Sequence, residues 1–230
     1  PTRRSSDLAI LLALASPELD LLGLSVVAGN APVDITYDNA LRIKAHDGLT
    51  VPIYRGCEEP LAGVIETAQR ILGDSGMPTT GEILPPGAAS DAAGHAVDAL
   101  IAAVRAHPGQ ITVIAIAPMT NLATALARAP DIAGKIVEII LMGGSTDQGN
   151  HTATAEFNIY ADPEAAAQVF QAGAKLYAGL QRGAYLAGSA QCFNVLVDHV
   201  ANGANACPLG QQTSVGLSER LVLLDKDGIL

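Results

Sequence analysis

The chain has no tryptophan, and aromatic residues make up only 3% of its 230 residues. Its hydrophobic content is nevertheless 49%, so Ala, Leu, Ile and Val must fill the core. Such a core is typical of parallel sheets covered by helices. A chain of this length normally forms one domain with one sizeable core. We therefore interpret residues 1–230 as a single domain.

Clustered positive charge is also missing. Lys and Arg number 13 against 23 Asp and Glu, which gives a formal net charge of −10. Nucleic-acid binding draws its affinity from clustered Lys and Arg, so no nucleic-acid partner is expected. The apolar run at residues 8–15 is too short to cross a bilayer, so no membrane partner is expected either.

The sequence has few cysteines and lacks the common phosphate-binding motifs. Cys57, Cys192 and Cys207 lie far apart without a C-x-x-C pair, which disfavours a zinc site or a disulfide framework. Free thiols of this kind predict a reducing compartment, and hence a cytoplasmic protein. Neither G-x-G-x-x-G nor G-x-x-x-x-G-K-[ST] occurs, so dinucleotide binding and a kinase of Rossmann type lose their main support.

Four apolar runs predict buried strands. They lie at residues 21–28, 51–54, 111–117 and 136–142. Amphipathic segments at residues 34–46 and 90–107 lie between them and predict helices. This alternation predicts an α/β fold, with a mainly parallel central sheet and helices on both faces.

Glycines and short polar residues follow three of these predicted strands. The motifs are A-G-N at 28–30, A-P-M-T-N at 117–121 and M-G-G-S at 142–145. Glycines let a ligand approach the backbone closely, and Asn and Thr supply directional hydrogen bonds. Ligands of open α/β sheets bind outside the carboxyl ends of the strands. Each motif alone is equally consistent with a packing turn, but three at one edge predict a binding site.

The segment N-H-T-A-T-A-E-F-N-I-Y-A-D-P at residues 150–163 is the richest in chemistry. Glu156 and Asn158 supply an anionic acceptor and an amide on either side of Phe157. Asp162 and Pro163 predict the start of a helix, as the N-cap and the first helical residue. A polar loop before a well-capped helix is the alternative interpretation.

Four of these strings resemble the nucleoside hydrolases, the inosine-uridine type N-ribohydrolases. They are V-V-A-G-N at 26–30, A-P-M-T-N-L-A at 117–123, L-M-G-G at 141–144 and A-E-F-N-I-Y-A-D-P-E-A-A at 155–166. The resemblance runs from about Leu8 to about Lys175. It implies the Rossmann-like fold of that family and calcium-assisted hydrolysis of the N-glycosidic bond of ribonucleosides in salvage, giving ribose and free base.

The resemblance also implies roles for individual residues. The residues that would bind the sugar are Asn30, Met142, Asn150, Glu156 and Asn158. Glu156 and Asn150 would hold the 5′-hydroxyl, Asn30 would line the sugar end of the pocket, and Met142 would contact the sugar from beneath. The main-chain carbonyl of Thr120 would be a calcium ligand. Relatives commonly form homodimers or homotetramers, which implies a homo-oligomer with a small nucleoside as its partner.

The chain departs from the family at its beginning. Relatives open with a strand ending in D-x-D-P-G-x-D-D, which supplies the general base and most calcium ligands. Alignment through residues 12–18 places Pro1, Ser5 and Ser6 at three of these aspartates, with Asp7 one position out of register. A serine hydroxyl is a poor calcium ligand and cannot act as a base at neutral pH.

We therefore assign no catalytic residue, and we expect the sheet to lack its first strand. The chain should hydrolyse nucleosides poorly or not at all. The alternative is a non-catalytic protein that binds a nucleoside or ribose.

Both ends of the sequence depart from the family pattern. Residues 1–8, P-T-R-R-S-S-D-L, read as non-native because they match one frame of a common sequencing adapter. Residues 176–230 have diverged, and the Asp198-His199 pair is interpreted as a surface feature. Leu72 replaces a histidine that contacts the base in many relatives, so neither purine nor pyrimidine preference is assigned. His46 and His107 are expected at helix ends and His95 within a helix.

Overall fold

The computed structural model describes residues 9–10, 13–17, 19–76, 84–146, 148–181 and 219–225. A six-stranded sheet lies at its centre. The strands are β1 (Leu19–Val26), β2 (Ile53–Arg55), β3 (Ile111–Ala115), β4 (Ile136–Ser145), β5 (Leu176–Gln181) and β6 (Glu219–Asp225). Their order is β2-β1-β6-β3-β4-β5, and every neighbouring pair is parallel. The predicted parallel α/β sheet is confirmed.

Helices cover both faces of this sheet. They are α1 (Val33–Asp47), α2 (Gln69–Leu72), α3 (Ala96–Ala106), α4 (Thr120–Arg128), α5 (Phe157–Ala161) and α6 (Pro163–Gln171), with a 3-10 helix at Pro130–Lys135. Residues 9–10 and 13–15 are also helical. Among the described residues, no helix is both long enough and apolar enough to span a membrane.

Alternate residues of β3 divide the core into two clusters. Val113 and Ala115 pack with apolar residues of α3, α4 and α6, whereas Ile114 and Ile116 pack with residues of α1 and β1 on the other face. Side chains of a strand alternate between faces, so a strand buried on both sides reads as a continuous apolar run. This explains why β3 was recognisable from sequence.

The largest error in a predicted boundary is at the start of a helix. The helix predicted at residues 90–107 begins at Ala96, and His95 is its N-cap, accepting a hydrogen bond from the Val97 N–H at 3.2 Å. Gly94 precedes it with φ of 96°, a left-handed conformation that interrupts a helix. Asp91 instead accepts a hydrogen bond from the Ile53 N–H at 2.6 Å. The end positions predicted for His46 and His107 are confirmed.

The interior of the described sheet is continuous. No described strand precedes β1, and β6 fills the position between β1 and β3. Residues 1–8 and the Asp198-His199 pair lie outside the described residues. The proposed foreign origin of residues 1–8 and the divergence of residues 176–230 therefore stay predictions.

Shortening Ile139 to valine is expected to lower the free energy of unfolding by about 0.5–1.5 kcal/mol. Ile139 is fully buried in β4, so the lost methyl group leaves a gap in the core. Val137→Thr, two residues earlier on the same strand and 36% exposed, is the matched control and should change stability by less than about 0.5 kcal/mol. Urea denaturation measures both, and equal effects would contradict the burial assigned to Ile139.

Candidate functional site

The carboxyl ends of β1 and β2 are joined by the Asn121 side chain. Its Nδ2 donates to Ser25 Oγ and to the Val26 carbonyl, both at 2.9 Å, and its Oδ1 accepts from the Cys57 N–H at 2.8 Å. A Cβ at Gly56 would overlap both this amide and the Val26 carbonyl. Glycine at position 56 therefore lets Asn121 fix this part of the edge.

The neighbouring Cys57 is a free and partly buried thiol, as predicted for the cysteines. Burial raises its pKa, so the thiol stays protonated at neutral pH. Its Sγ lies 3.9 Å from Thr124 Oγ1. Cys192 and Cys207 lie outside the described residues.

Asn158 connects the end of β3 to β4 in the same way. Its Nδ2 donates to the Met142 carbonyl at 2.9 Å and to the Ile116 carbonyl at 3.4 Å, and lies 3.2 Å from Met142 Sδ. The residue is fully buried. Its Oδ1 is buried without a hydrogen-bond partner.

Glu156 caps the short helix α5 with one of its carboxylate oxygens. Oε2 accepts from the N–H groups of Gly144 at 3.1 Å, Asn158 at 2.9 Å and Ile159 at 3.2 Å. The residue is only 1% exposed. Its second oxygen, Oε1, is buried and has no partner.

Two buried acceptors, Glu156 Oε1 and Asn158 Oδ1, are thus left unpartnered on one helical turn. A buried polar atom without a partner costs about 1–3 kcal/mol. Such atoms call for an explanation, and a ligand that brings its own donors is one. Both atoms are acceptors, so hydroxyl groups would satisfy them.

Two other predicted sugar-binding residues lie at the same place. The Oδ1 of Asn150 accepts from the Phe157 N–H at 2.8 Å, which fixes Asn150 beside α5. Met142 is half-buried and contacts Asn158. Together with Glu156 and Asn158 they form one connected group.

Asn30 lies on a different loop of the edge. It follows β1, and its carbonyl accepts from the Ala68 N–H at 3.0 Å. The side chain is 8% exposed. In the described part of the chain, no hydrogen bond connects Asn30 to Glu156 or Asn158.

Thr120 is held by a contact that the sequence did not reveal. Its hydroxyl donates to Asp162 Oδ2 at 2.5 Å. The same oxygen accepts from the Leu61 N–H at 3.0 Å, while Oδ1 caps α6 through the Ala165 N–H at 3.0 Å. The predicted capping by Asp162, with Pro163 as the first helical residue, is confirmed. A capping aspartate needs only one carboxylate oxygen for the helix. The second oxygen of Asp162 could therefore have been expected to accept a hydrogen bond from another residue.

An aromatic and ionic cluster borders the Asn150 loop. The His151 ring lies 4.2 Å from that of Tyr160 and, edge to face, 5.4 Å from that of Phe157. Its Nε2 lies 3.0 Å from Glu66 Oε1. The charge of Glu66 also raises the pKa of Tyr160. The cluster connects Glu66 to the loop before α5, and no local sequence pattern predicts this contact.

A family model described as inosine-uridine preferring nucleoside hydrolase matches residues 6–202. The chain belongs to the nucleoside hydrolase family. The resemblance found in the four strings is confirmed.

Two curated relatives show the extent of the match. A pyrimidine-specific ribonucleoside hydrolase, RihB, of Escherichia coli O157:H7 (strain EC4115 / EHEC) is 40% identical over 169 residues, or 74% of this chain and 53% of that protein. An uncharacterised protein of Schizosaccharomyces pombe is 44% identical over 166 residues, or 71% of this chain and 53% of that protein. The chain spans about half the length of these relatives.

Solved structures agree on the fold. A purine-preferring ribonucleoside hydrolase from Gardnerella vaginalis is similar with a TM-score of 0.70 and 34% identity, over 76% of this chain and 56% of that one. A plant nucleoside hydrolase is similar with the same TM-score of 0.70 and 35% identity. The described sheet and helices therefore form part of a nucleoside hydrolase fold.

Proposed function

We propose that this chain binds the ribose of a nucleoside at the edge formed by β3, β4 and α5. The observation that carries the proposal is the pair of buried, unpartnered acceptors, Glu156 Oε1 and Asn158 Oδ1. Ribose hydroxyls are donors of the required kind. Asn150 and Met142 are fixed next to these acceptors, and Asn30 would line the sugar from the β1 loop.

The reaction class proposed for the site is hydrolysis of the N-glycosidic bond. The transition state of such a reaction develops positive charge on the sugar ring. The Glu156 carboxylate and the Asn158 carbonyl oxygen are anionic or dipolar groups that stabilise such a charge when fixed beside it. Both are fixed before the substrate arrives, because their other atoms hydrogen-bond to the backbone.

Calcium assistance belongs to the proposal as well. Calcium prefers oxygen ligands. The polar atoms that could face a ligand at this edge are carboxylate and carbonyl oxygens, so their chemistry suits calcium. The Thr120 carbonyl is the ligand proposed from the resemblance. When bound, the ion would grip ribose hydroxyls and polarise a water. Among the described residues, no group of three or more His, Cys, Asp or Glu side chains is placed to hold a metal.

We accordingly propose that turnover by this chain is slow. The described carboxylates at the edge accept hydrogen bonds from protein groups, Glu156 through Oε2 and Asp162 through both oxygens. We assign neither of them as the general base. A non-catalytic nucleoside-binding or ribose-binding protein is the second candidate, favoured by the serines at positions 5 and 6.

The proposal extends to the sugar and not to the base. One relative is described as pyrimidine-specific and one structural neighbour as purine-preferring, so the comparisons favour neither kind of base. The family resemblance supports a homodimeric or homotetrameric assembly. The widely spaced cysteines support a cytoplasmic location.

Calorimetry with the purified chain tests the proposal. We expect inosine and uridine to bind, and 5′-deoxyuridine to bind at least about tenfold more weakly than uridine, because it lacks the hydroxyl assigned to Glu156. Release of base, followed by absorbance with calcium present, should be slow. Absence of any binding by inosine, uridine and ribose would contradict the sugar site, and rapid release of base would contradict impaired turnover.

A further inference from the structure

The residues proposed to bind the sugar lie on separate segments of the chain. Asn30 follows β1, and its carbonyl accepts from the Ala68 N–H at 3.0 Å, which connects Asn30 to the segment after β2. Asn150 lies on the loop before α5, where its Oδ1 accepts from the Phe157 N–H at 2.8 Å. In the described part of the chain, no hydrogen bond joins Asn30 to Asn150 directly. The shape of the site therefore depends on contacts that hold these two segments together.

Glu66 and His151 make such a contact. His151 Nε2 lies 3.0 Å from Glu66 Oε1, and because an ionised carboxylate can only accept, the imidazole Nε2–H is the donor. We call this contact the Glu66–His151 bridge. His151 directly follows Asn150, and Glu66 lies just before Ala68, the residue that binds the Asn30 carbonyl. The bridge therefore links the two segments next to the residues proposed to bind the sugar.

The His151 end of the bridge is held by further contacts. Its ring packs against the rings of Tyr160 and Phe157, and its main-chain N–H donates to the Ala155 carbonyl at 3.1 Å. The His151 side chain is only 13% exposed. The Tyr160 side chain also hydrogen-bonds to Glu66. A carboxylate at position 66 therefore meets a donor whose place is already fixed by packing.

The loop that carries Asn150 has little other support. Residues 148–155 form neither helix nor strand, and residues 152–154 are exposed. Segments with few buried contacts open locally at low cost in free energy. A loop that must be ordered when a ligand binds lowers the affinity, and a contact that orders it beforehand raises the affinity. A contact at His151 is placed to have this effect on Asn150.

We propose that Glu66 and His151 are positioning residues of the sugar site, and that their bridge orders the Asn150 loop against the segment bound to Asn30. The inference rests on the sugar site proposed above. Neither residue is assigned a contact with the sugar. The bridge acts by holding Asn150 in its binding position before the nucleoside arrives, so its loss weakens binding of the nucleoside without unfolding the chain.

Uridine calorimetry on variants of the full chain tests the bridge. Glu66→Ala removes the acceptor, and His151→Phe removes the donor but keeps a ring for the aromatic packing. Each should weaken uridine binding by about three- to tenfold, and the double variant should bind about as well as Glu66→Ala, because both changes remove the same contact. Glu66→Gln keeps an acceptor and should bind more tightly than Glu66→Ala. Glu58→Ala is the matched control, since Glu58 is an exposed partner of Arg55, and should leave the affinity unchanged.

Amide hydrogen exchange without uridine separates loop order from sugar binding. Exchange at residues 148–157 should be faster in Glu66→Ala than in the unchanged chain, whereas exchange in β3 should stay the same because the fold is intact. Equal uridine affinity in Glu66→Ala and the unchanged chain, or additive losses from Glu66→Ala and His151→Phe, would overturn the proposal. If the unchanged chain binds no uridine, the sugar site is wrong. Exchange alone then decides the bridge: faster exchange in Glu66→Ala supports its ordering of the loop, and equal exchange refutes it.

Discussion

Replacing Asp162 with alanine is expected to lower the free energy of unfolding by about 3–5 kcal/mol, because three donors lose a buried anionic partner at once. They are the Thr120 hydroxyl and the N–H groups of Leu61 and Ala165. Asp162 is fully buried, so water cannot easily replace the lost acceptor. Urea denaturation followed by circular dichroism gives the difference.

A double-mutant cycle isolates the contact to Thr120. Thr120→Val removes the hydroxyl donor and keeps the branched shape, and Thr120→Ser keeps the donor as the matched control. The coupling between Thr120→Val and Asp162→Ala should be about 0.5–3 kcal/mol, as for residues in direct contact. Additive effects within about 0.3 kcal/mol would show that the Thr120 hydroxyl is not held by Asp162.

Asp162 makes one contact that its sequence neighbours determine and another that depends on the folded sheet. The capping role followed from Asp-Pro at a helix start, because a cap is set by neighbouring residues. The contact with Thr120 spans 42 positions of sequence, and only the sheet brings these residues together. The same holds for Asn121, whose bond to the Val26 carbonyl spans 95 positions.

Some strands could also be predicted from the local sequence, whereas β6 could not. β3 and β4 were predictable since strands buried on both faces are continuous apolar runs. β6 was not predicted, because a short apolar run does not by itself identify the strands with which it pairs. Its neighbours β1 and β3 begin at Leu19 and Ile111, far away in the sequence. The continuous interior of the sheet therefore appeared only in the structure.

Within the site, the residue types were predictable and the roles of their atoms were not. The string at residues 155–166 pointed to Glu156 and Asn158 as sugar ligands. In each side chain one polar atom hydrogen-bonds to the backbone and the other has no partner. Glu156 Oε2 and Asn158 Nδ2 bind the backbone, whereas Glu156 Oε1 and Asn158 Oδ1 are unpartnered.

Glu156→Gln should weaken uridine binding by about 10–100-fold while the chain stays folded, since a hydrogen bond to a charged group contributes about 1.5–3 kcal/mol. A glutamine can keep one acceptor for the N–H groups of Gly144, Asn158 and Ile159 by placing its carbonyl where Oε2 now lies. Its NH₂ group then takes the place of Oε1 and donates where a ribose hydroxyl needs an acceptor.

Two further variants of the α5–α6 segment decide whether the loss of binding belongs to that one atom. Glu156→Ala removes both oxygens, so it should lose binding and also lower the melting temperature, because the helix cap disappears. Glu164→Gln removes one charge from an exposed position in the first turn of α6 and should leave uridine affinity unchanged. Calorimetry and thermal melts are run on all three variants. Uridine affinity in a folded Glu156→Gln chain equal to that of the unchanged chain would mean that Oε1 does not bind the sugar, since the substitution reverses the hydrogen-bonding character of that atom and of no other in the site.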